Sequence, residues 1–134
     1  MARLSHLNPD GVPSNPAFSQ AVLVSDATRI VYVGGQNGIG PDGTIVDGTR
    51  AQTVQALRNL EMVLAAAGST FERVVKWNVL VVANASLADA VAAFDDVWDG
   101  RAEPPAITVA VVAALANPRF EVEIDAVAIA DEEA

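Results

Sequence analysis

The segment over residues 120–129 carries the side chains best suited to chemistry. Strand alternation puts Phe120, Val122, Ile124, Ala126 and Ala128 on one face and Arg119, Glu121, Glu123 and Asp125 on the other. Successive carboxylates on that second face stand roughly 6.5 to 7 Å apart. In its plainest reading such a row is a strand face turned to water. Val127 and Ile129 continue the same parity with apolar side chains, so the face is expected to run into a partly buried end. A carboxylate at that boundary suits a general base or a proton shuttle in a hydrolytic site, and Glu123 lies in the middle of the row.

Other residues offer less. His6 is the single histidine, lies near the start of the chain and is expected to be a surface residue without catalytic or metal role. Asp95 and Asp96 read as a solvated helix face, and Asp10, Asp42 and Asp47 as turn residues. Gly34-Gly35-Gln36 ends an apolar run and exposes backbone N–H groups, which makes an ordinary turn or a weak carbonyl cradle. The phosphate-loop, dinucleotide, nucleophile-elbow and zincin motifs are missing. No cysteine occurs, which excludes thiolate zinc sites, cysteine nucleophiles and disulfides and favours a cytoplasmic protein. A net charge of −9 and 5% aromatic residues disfavour a nucleic-acid partner, whose phosphates need cations and whose bases need stacking surfaces.

The elements that hold these residues alternate between strands and helices. Two short apolar runs, 18–24 and 29–34, flank Ser25-Asp26-Ala27-Thr28 and give a hairpin-like signal. Thr49 and Gln52 resemble a capping box, behind which Val54, Leu57, Leu60 and Leu64 recur at helical spacing until Gly68. Residues 73–82 alternate, with Val75, Trp77, Val79 and Val81 on one face. Ser86 caps a second helix whose stripe is Leu87, Val91, Phe94 and Trp98, ending at Gly100. Strands are predicted over 106–113 and 120–129. The order ββαβαββ implies an α+β domain with two helices packed on one face of a mixed sheet.

A chain of 134 residues with 51% hydrophobic residues fits a single domain, with a core over about 15–130, an N-terminal segment 1–14 and an acidic tail 131–134. No apolar run is long enough to span a bilayer, and the first ten residues lack the apolar core of a secretory signal, so no membrane partner is expected. Both parities of the 106–113 strand are apolar, yet two helices cover only one sheet face. Such a sheet is expected to bury its second face against copies of the same chain.

Taken together, several segments resemble the Rid proteins, the reactive-intermediate deaminases also called YjgF-like or endoribonuclease L-PSP-like. They are Phe18-Ser19-Gln20-Ala21-Val22, Val31-Tyr32-Val33-Gly34-Gly35-Gln36, the 52–60 stretch, Ala66-Ala67-Gly68-Ser69, Val74-Val75-Lys76, Pro105-Ala106 and Val122-Glu123-Ile124-Asp125-Ala126. The resemblance implies a chorismate-mutase-like fold assembled as a homotrimeric barrel, with small-molecule clefts between subunits. It also implies hydrolysis of 2-imino acids or their enamine tautomers without metal or organic cofactor. In that family a glutamate on the last strand positions water and an arginine grips the substrate carboxylate.

By the resemblance, Glu123 is the water-positioning glutamate and Gly35 the ligand-facing glycine. Ile107 stands where the arginine is expected, Thr108 where its neighbouring serine is, Phe18 where a tyrosine is common, and Val91 near the place of a helix asparagine. A bidentate carboxylate clamp is therefore missing. Two arginines are candidate replacements: Arg119 is roughly 13 Å along the strand from Glu123 and does not converge with it on one small ligand, and Arg101 is placed only by its loop. The expected function is a Rid-like homotrimer binding a small ligand without a carboxylate, with imine, enamine or carbonyl hydrolysis or tautomerisation. The alternative is a non-catalytic ligand-binding or scaffold protein. A standard 2-imino acid deaminase or an endoribonuclease fits these residues less well.

Overall fold

Alternating valines and one leucine-spaced helix organise the chain in a computed structural model, which describes residues 2–101 and 103–130. The expected tail, 131–134, lies outside the described residues. The elements are β1 (Arg3–Leu7), β2 (Ala21–Ser25), β3 (Ile30–Gln36), α1 (Thr49–Ala66), β4 (Val74–Val82), α2 (Leu87–Trp98), β5 (Ala106–Val112) and β6 (Val122–Ile129), with a 3-10 turn at Phe71–Arg73. The main sheet has the order β3-β6-β4-β5. β4 and β5 run parallel and the other neighbours antiparallel. α2 supplies the crossover that a parallel pair requires. The class is the expected one, two helices against a mixed sheet.

β1 adds a strand to the expected order, inside the segment read as an N-terminal extension. The hairpin signal at residues 25–28 is corrected as well. β2 pairs with β1, from Leu7↔Ala21 to Arg3↔Ser25, whereas β3 pairs with β6. The turn joins two strands in different sheets, and Asp26 takes a positive φ of 59° there.

α1 buries Ala56, Leu57, Leu60 and Leu64 to 1% exposure or less against Val33, Val74, Val122, Ile124 and Ala128. It stops where Gly68 turns to φ +77° and the Ser69 N–H reaches back to the Leu64 carbonyl at 2.9 Å. The expected capping box is not formed. Thr49 Oγ1 donates to Glu121 Oε1 at 2.8 Å and accepts from the Ser86 N–H at 3.1 Å. Gln52 accepts from the Glu121 N–H at 2.8 Å and donates to the Arg119 carbonyl at 3.0 Å. Partners distant in sequence replace the local cap, and those at Arg119 and Glu121 pin α1 to the segment just before β6.

Ser86 does cap α2, its Oγ accepting from the Asp89 N–H at 3.1 Å. The residues that α2 buries are Ala90, Ala93 and Val97, not the expected stripe; Leu87 stays 46% and Val91 50% exposed. On β4 an irregularity between Val74 and Lys76 shifts the register, so Val74 joins Trp77, Val79 and Val81 in the core instead of Val75. Among the described residues no helix is long and apolar enough to cross a membrane.

Candidate functional site

The stripe Leu87, Val91, Phe94 and Trp98 of α2 faces a groove of about 510 Å³ between that helix and the β4–β5 side of the sheet. Leu87, Val91, Phe94 and Trp98 form one wall; Trp77, Val79, Ile107 and Val109 form the other; Phe18 and Pro104 lie at the end. The pairs Trp77↔Ile107 and Val79↔Val109 put both strands' groove residues on the helix side of the sheet. β5 is an edge strand that α2 does not cover, which leaves Val109 48% and Val111 60% exposed. Of the chain's four Phe and two Trp, Phe18, Phe94 and both Trp line the groove. Trp77 stands edge-on to Phe94 at 5.4 Å and to Trp98 at 5.8 Å between ring centroids, which fixes the wall. Charge is sparse here: Asp95 at the rim is the one charged lining residue among those described.

The end of the groove is tied down from behind. Ser19 Oγ donates to the Pro104 carbonyl at 2.5 Å and accepts from His6 Nδ1 at 2.9 Å. The same ring nitrogen is 3.1 Å from the Pro104 carbonyl and 3.9 Å from the Glu103 carboxylate. Because the Ser19 proton is used on Pro104, this network requires the imidazole proton on Nδ1. His6, expected as a surface residue, is largely buried and joins β1 to the loop that carries Pro104 into the groove. The sequence held no local sign of this, since the partners lie 13 and 98 positions away.

Arg101 is engaged within its own chain. Its Nη1 donates to the Val97 carbonyl at 2.6 Å and the Trp98 carbonyl at 3.2 Å, closing the C-terminal end of α2. Its Nε donates to Glu72 at 2.6 Å, Glu61 is 3.7 Å from Nη2, and the guanidinium stacks 5.1 Å from the Phe71 ring centre. Burial pushes the Glu72 carboxyl up, but its own backbone N–H, the Thr70 hydroxyl and Arg101 outweigh that and hold it below the ordinary glutamate range. Arg119 meets Asp47 at 3.7 Å and the Ile45 carbonyl at 3.4 Å.

Glu123 lies elsewhere. The pairs Leu80↔Glu123 and Asn78↔Asp125 put these two carboxylates on the sheet face opposite the helices, where Asn78 donates to Asp125 at 2.8 Å, while Glu121, expected in the same row, turns to Thr49 and Gln52 of α1. Gly35 is against Glu123: a Cβ at that position would sit 2.6 Å from its carboxylate carbon. Asn37 Nδ2 donates to Glu123 Oε1 at 3.3 Å and to the Val122 carbonyl at 3.1 Å. Thr108 shares this face and accepts from Lys76 Nζ at 2.6 Å. Exposed Ile30 and Tyr32 on β3 extend the face, paired with Ile129 and Val127.

The residues singled out from sequence therefore fall into two groups. Phe18, Val91 and Ile107 line the groove on the helix side, whereas Gly35, Thr108 and Glu123 lie on the opposite face, with the sheet between them. The aromatic wall of Trp77, Phe94 and Trp98 and the His6 support were not singled out. The helical spacing of Phe94 and Trp98 was visible, but it reads equally as core. Among the described residues no group of three or more His, Asp or Glu could hold a metal ion.

The family described as endoribonuclease L-PSP matches this chain over residues 11–130. A RutC family protein of Aquifex aeolicus is 31% identical over 118 residues, 87% of this chain and 91% of that protein. The 2-iminobutanoate/2-iminopropanoate deaminase of Rattus norvegicus is 49% identical over 67 residues, a match that spans 48% of this chain and 47% of the rat protein. Among solved structures, a protein of unknown function of the conserved Rid family, YyfB from Yersinia pestis, superposes with a TM-score of 0.82 at 36% identity, covering 94% of this chain and 98% of the other.

Proposed function

The chain belongs to the endoribonuclease L-PSP family, the Rid proteins, and from that premise we propose that it works as a homotrimer whose intersubunit clefts hydrolyse an imine or enamine that lacks a carboxylate. The observation that carries this reading is the division of its candidate residues by the sheet. A groove with Phe18, Val91 and Ile107 and a corner with Gly35 and Glu123 cannot meet within one copy. They can meet when the uncovered edge and face of one copy pack on another, which also buries Val109, Val111, Ile30 and Tyr32.

In that cleft the groove holds the body of the ligand by apolar contact, and the corner does the chemistry. The Glu123 carboxylate orients a water and takes a proton from it as its oxygen adds to the imine carbon. The C=N bond becomes a C–N single bond in a carbinolamine, and the proton passes to nitrogen. Collapse then forms C=O, breaks C–N and releases ammonia. Only water is consumed. Gly35 leaves room for the Glu123 carboxylate itself, because any side chain there would strike it.

Ile107 sets the substrate class. A carboxylate buried unpaired against this wall costs several kcal/mol, roughly a hundredfold or more in rate. The same absence of cations and the net charge of −9 weigh against ribonuclease action.

The test is ammonia release from freshly generated imines with and without a carboxylate. The carboxylate-free imine should turn over and lose about a hundredfold in Glu123→Gln. Turnover of 2-aminoacrylate should fall at least about a hundredfold below that of an arginine-bearing relative, with partial recovery in Ile107→Arg. Wild-type activity on 2-aminoacrylate equal to such a relative overturns the assignment. Light scattering should give three times 13.9 kDa, and a stable monomer at micromolar concentration overturns the shared cleft. Ligand binding without turnover of any imine would make the chain a non-catalytic binder.

A further inference from the structure

The groove has a charge character of its own. Its lining includes the rings of Phe18, Phe94 and Trp98 with the buried Trp77 behind them, and the only charged group among its described lining residues is the Asp95 carboxylate. Arg50 of α1 is engaged by Asp96, the neighbour of Asp95. Arg101, behind Trp98, is held by Glu72, Glu61 and two backbone carbonyls. Aromatic faces attract cations through their quadrupole, and a carboxylate at the rim adds to that attraction while repelling anions.

We propose that this groove selects a small apolar cation, an ammonium or iminium ion carried on an aromatic or hydrocarbon body. The inference rests on the reading of the groove as the ligand-holding half of the cleft and names its substrate class. It also agrees with the chemistry. Protonation of an imine nitrogen makes the carbon more electrophilic, so a site that favours the iminium form favours the species that water attacks. Where the Glu123 corner of a second copy closes the cleft, a second carboxylate would join Asp95 and strengthen the same preference. A 2-imino acid, with its negative end, is the ligand such a site disfavours most.

Both tryptophans of the chain line the groove, so intrinsic fluorescence reports binding at this site. The experiment titrates the full chain with benzylammonium, benzyl alcohol and benzoate, which share a ring and differ in charge. Benzylammonium should bind about fivefold more tightly than benzyl alcohol, and benzoate about fivefold more weakly. Asp95→Asn should bring benzylammonium to within about twofold of benzyl alcohol and leave the alcohol unchanged. Asp95 is exposed on α2, so the variant should fold. Benzyl alcohol equal to or tighter than benzylammonium overturns the cation preference and leaves the apolar cleft standing. An unchanged ratio in Asp95→Asn overturns the assignment to this carboxylate. Tightest binding by benzoate, or no response to any of the three, overturns both the preference and the reading beneath it.

Discussion

α1 and α2 follow one apolar rule and put it to different uses. Leu57, Leu60 and Leu64 of α1 are sealed against the sheet at 1% exposure or less. α2 instead rests on small residues, Ala90, Ala93 and Val97, and turns its large ones, Leu87, Val91, Phe94 and Trp98, toward a groove. On the proposed reading α2 is the wall of a cleft, along which Leu87 and Val91 stand exposed while Phe94 and Trp98 are partly buried against the core. Leu57, Leu60 and Leu64 of α1 belong to the core alone.

Substitution separates the two roles, and the largest effect belongs to α1. Leu60→Ala leaves a cavity in a fully buried position and should cost about 3 kcal/mol in urea denaturation. Val91→Ala, at a half-exposed position, should cost less than about 1 kcal/mol and yet change benzylammonium binding. Equal losses at the two sites would mean that α2's stripe is core after all.

That distinction is where the sequence stops being legible. Period 3.6 shows that a side chain faces something apolar, and Val54 to Leu64 and Leu87 to Trp98 look alike by that measure. The parity of β6 was legible because a two-residue period is local: Val122, Ile124 and Ala126 are buried and Glu123 and Asp125 face the other way, whereas Glu121, just before the strand, turns instead to Thr49 and Gln52 of α1. Whether Ile107 shares a face with Glu123 depends on how β4 pairs with both β5 and β6, a non-local fact. β1 escaped notice because Arg3, Ser5 and His6 dilute its apolar signal and its partner begins 14 residues after it ends. The Thr49–Gln52 motif misled for the same reason: Glu121, 69 positions from Gln52, is the better partner.

A middle-sized effect tests whether the groove is supported independently of the α1 core. His6→Ala removes the hydrogen bond to Ser19 and should cost about 1 to 2 kcal/mol. Because Ser19 also holds Pro104, and Phe18 precedes it, the loss should reach the groove's end and shift tryptophan emission in the folded state. Leu60→Ala should leave that emission unchanged while the protein remains folded. Stability lost in His6→Ala with unaltered emission and ligand binding would reduce His6 to a tether for β1.

The smallest effect lies where the two helices are joined. Arg101 at the end of α2 pairs with Glu61 on α1 and with Glu72. Glu72 is held in its charged form in the fold, so its ionisation contributes stability at pH values above the ordinary glutamate range. That contribution fades as pH falls below that range through the depressed folded value. Glu72→Gln should therefore be less stable than wild type at pH 7 by no more than about 0.5 kcal/mol, since the pair is half exposed and screened by water. The difference should shrink toward zero at acid pH. Arg101→Ala behaves differently, because it also frees the Val97 and Trp98 carbonyls and uncovers Phe71, losses that do not titrate. Its deficit should persist at low pH and exceed that of Glu72→Gln throughout. Parallel pH profiles for the two variants would show that Arg101 acts through charge alone and leaves α2's end, and with it Trp98 in the groove wall, to be held by packing.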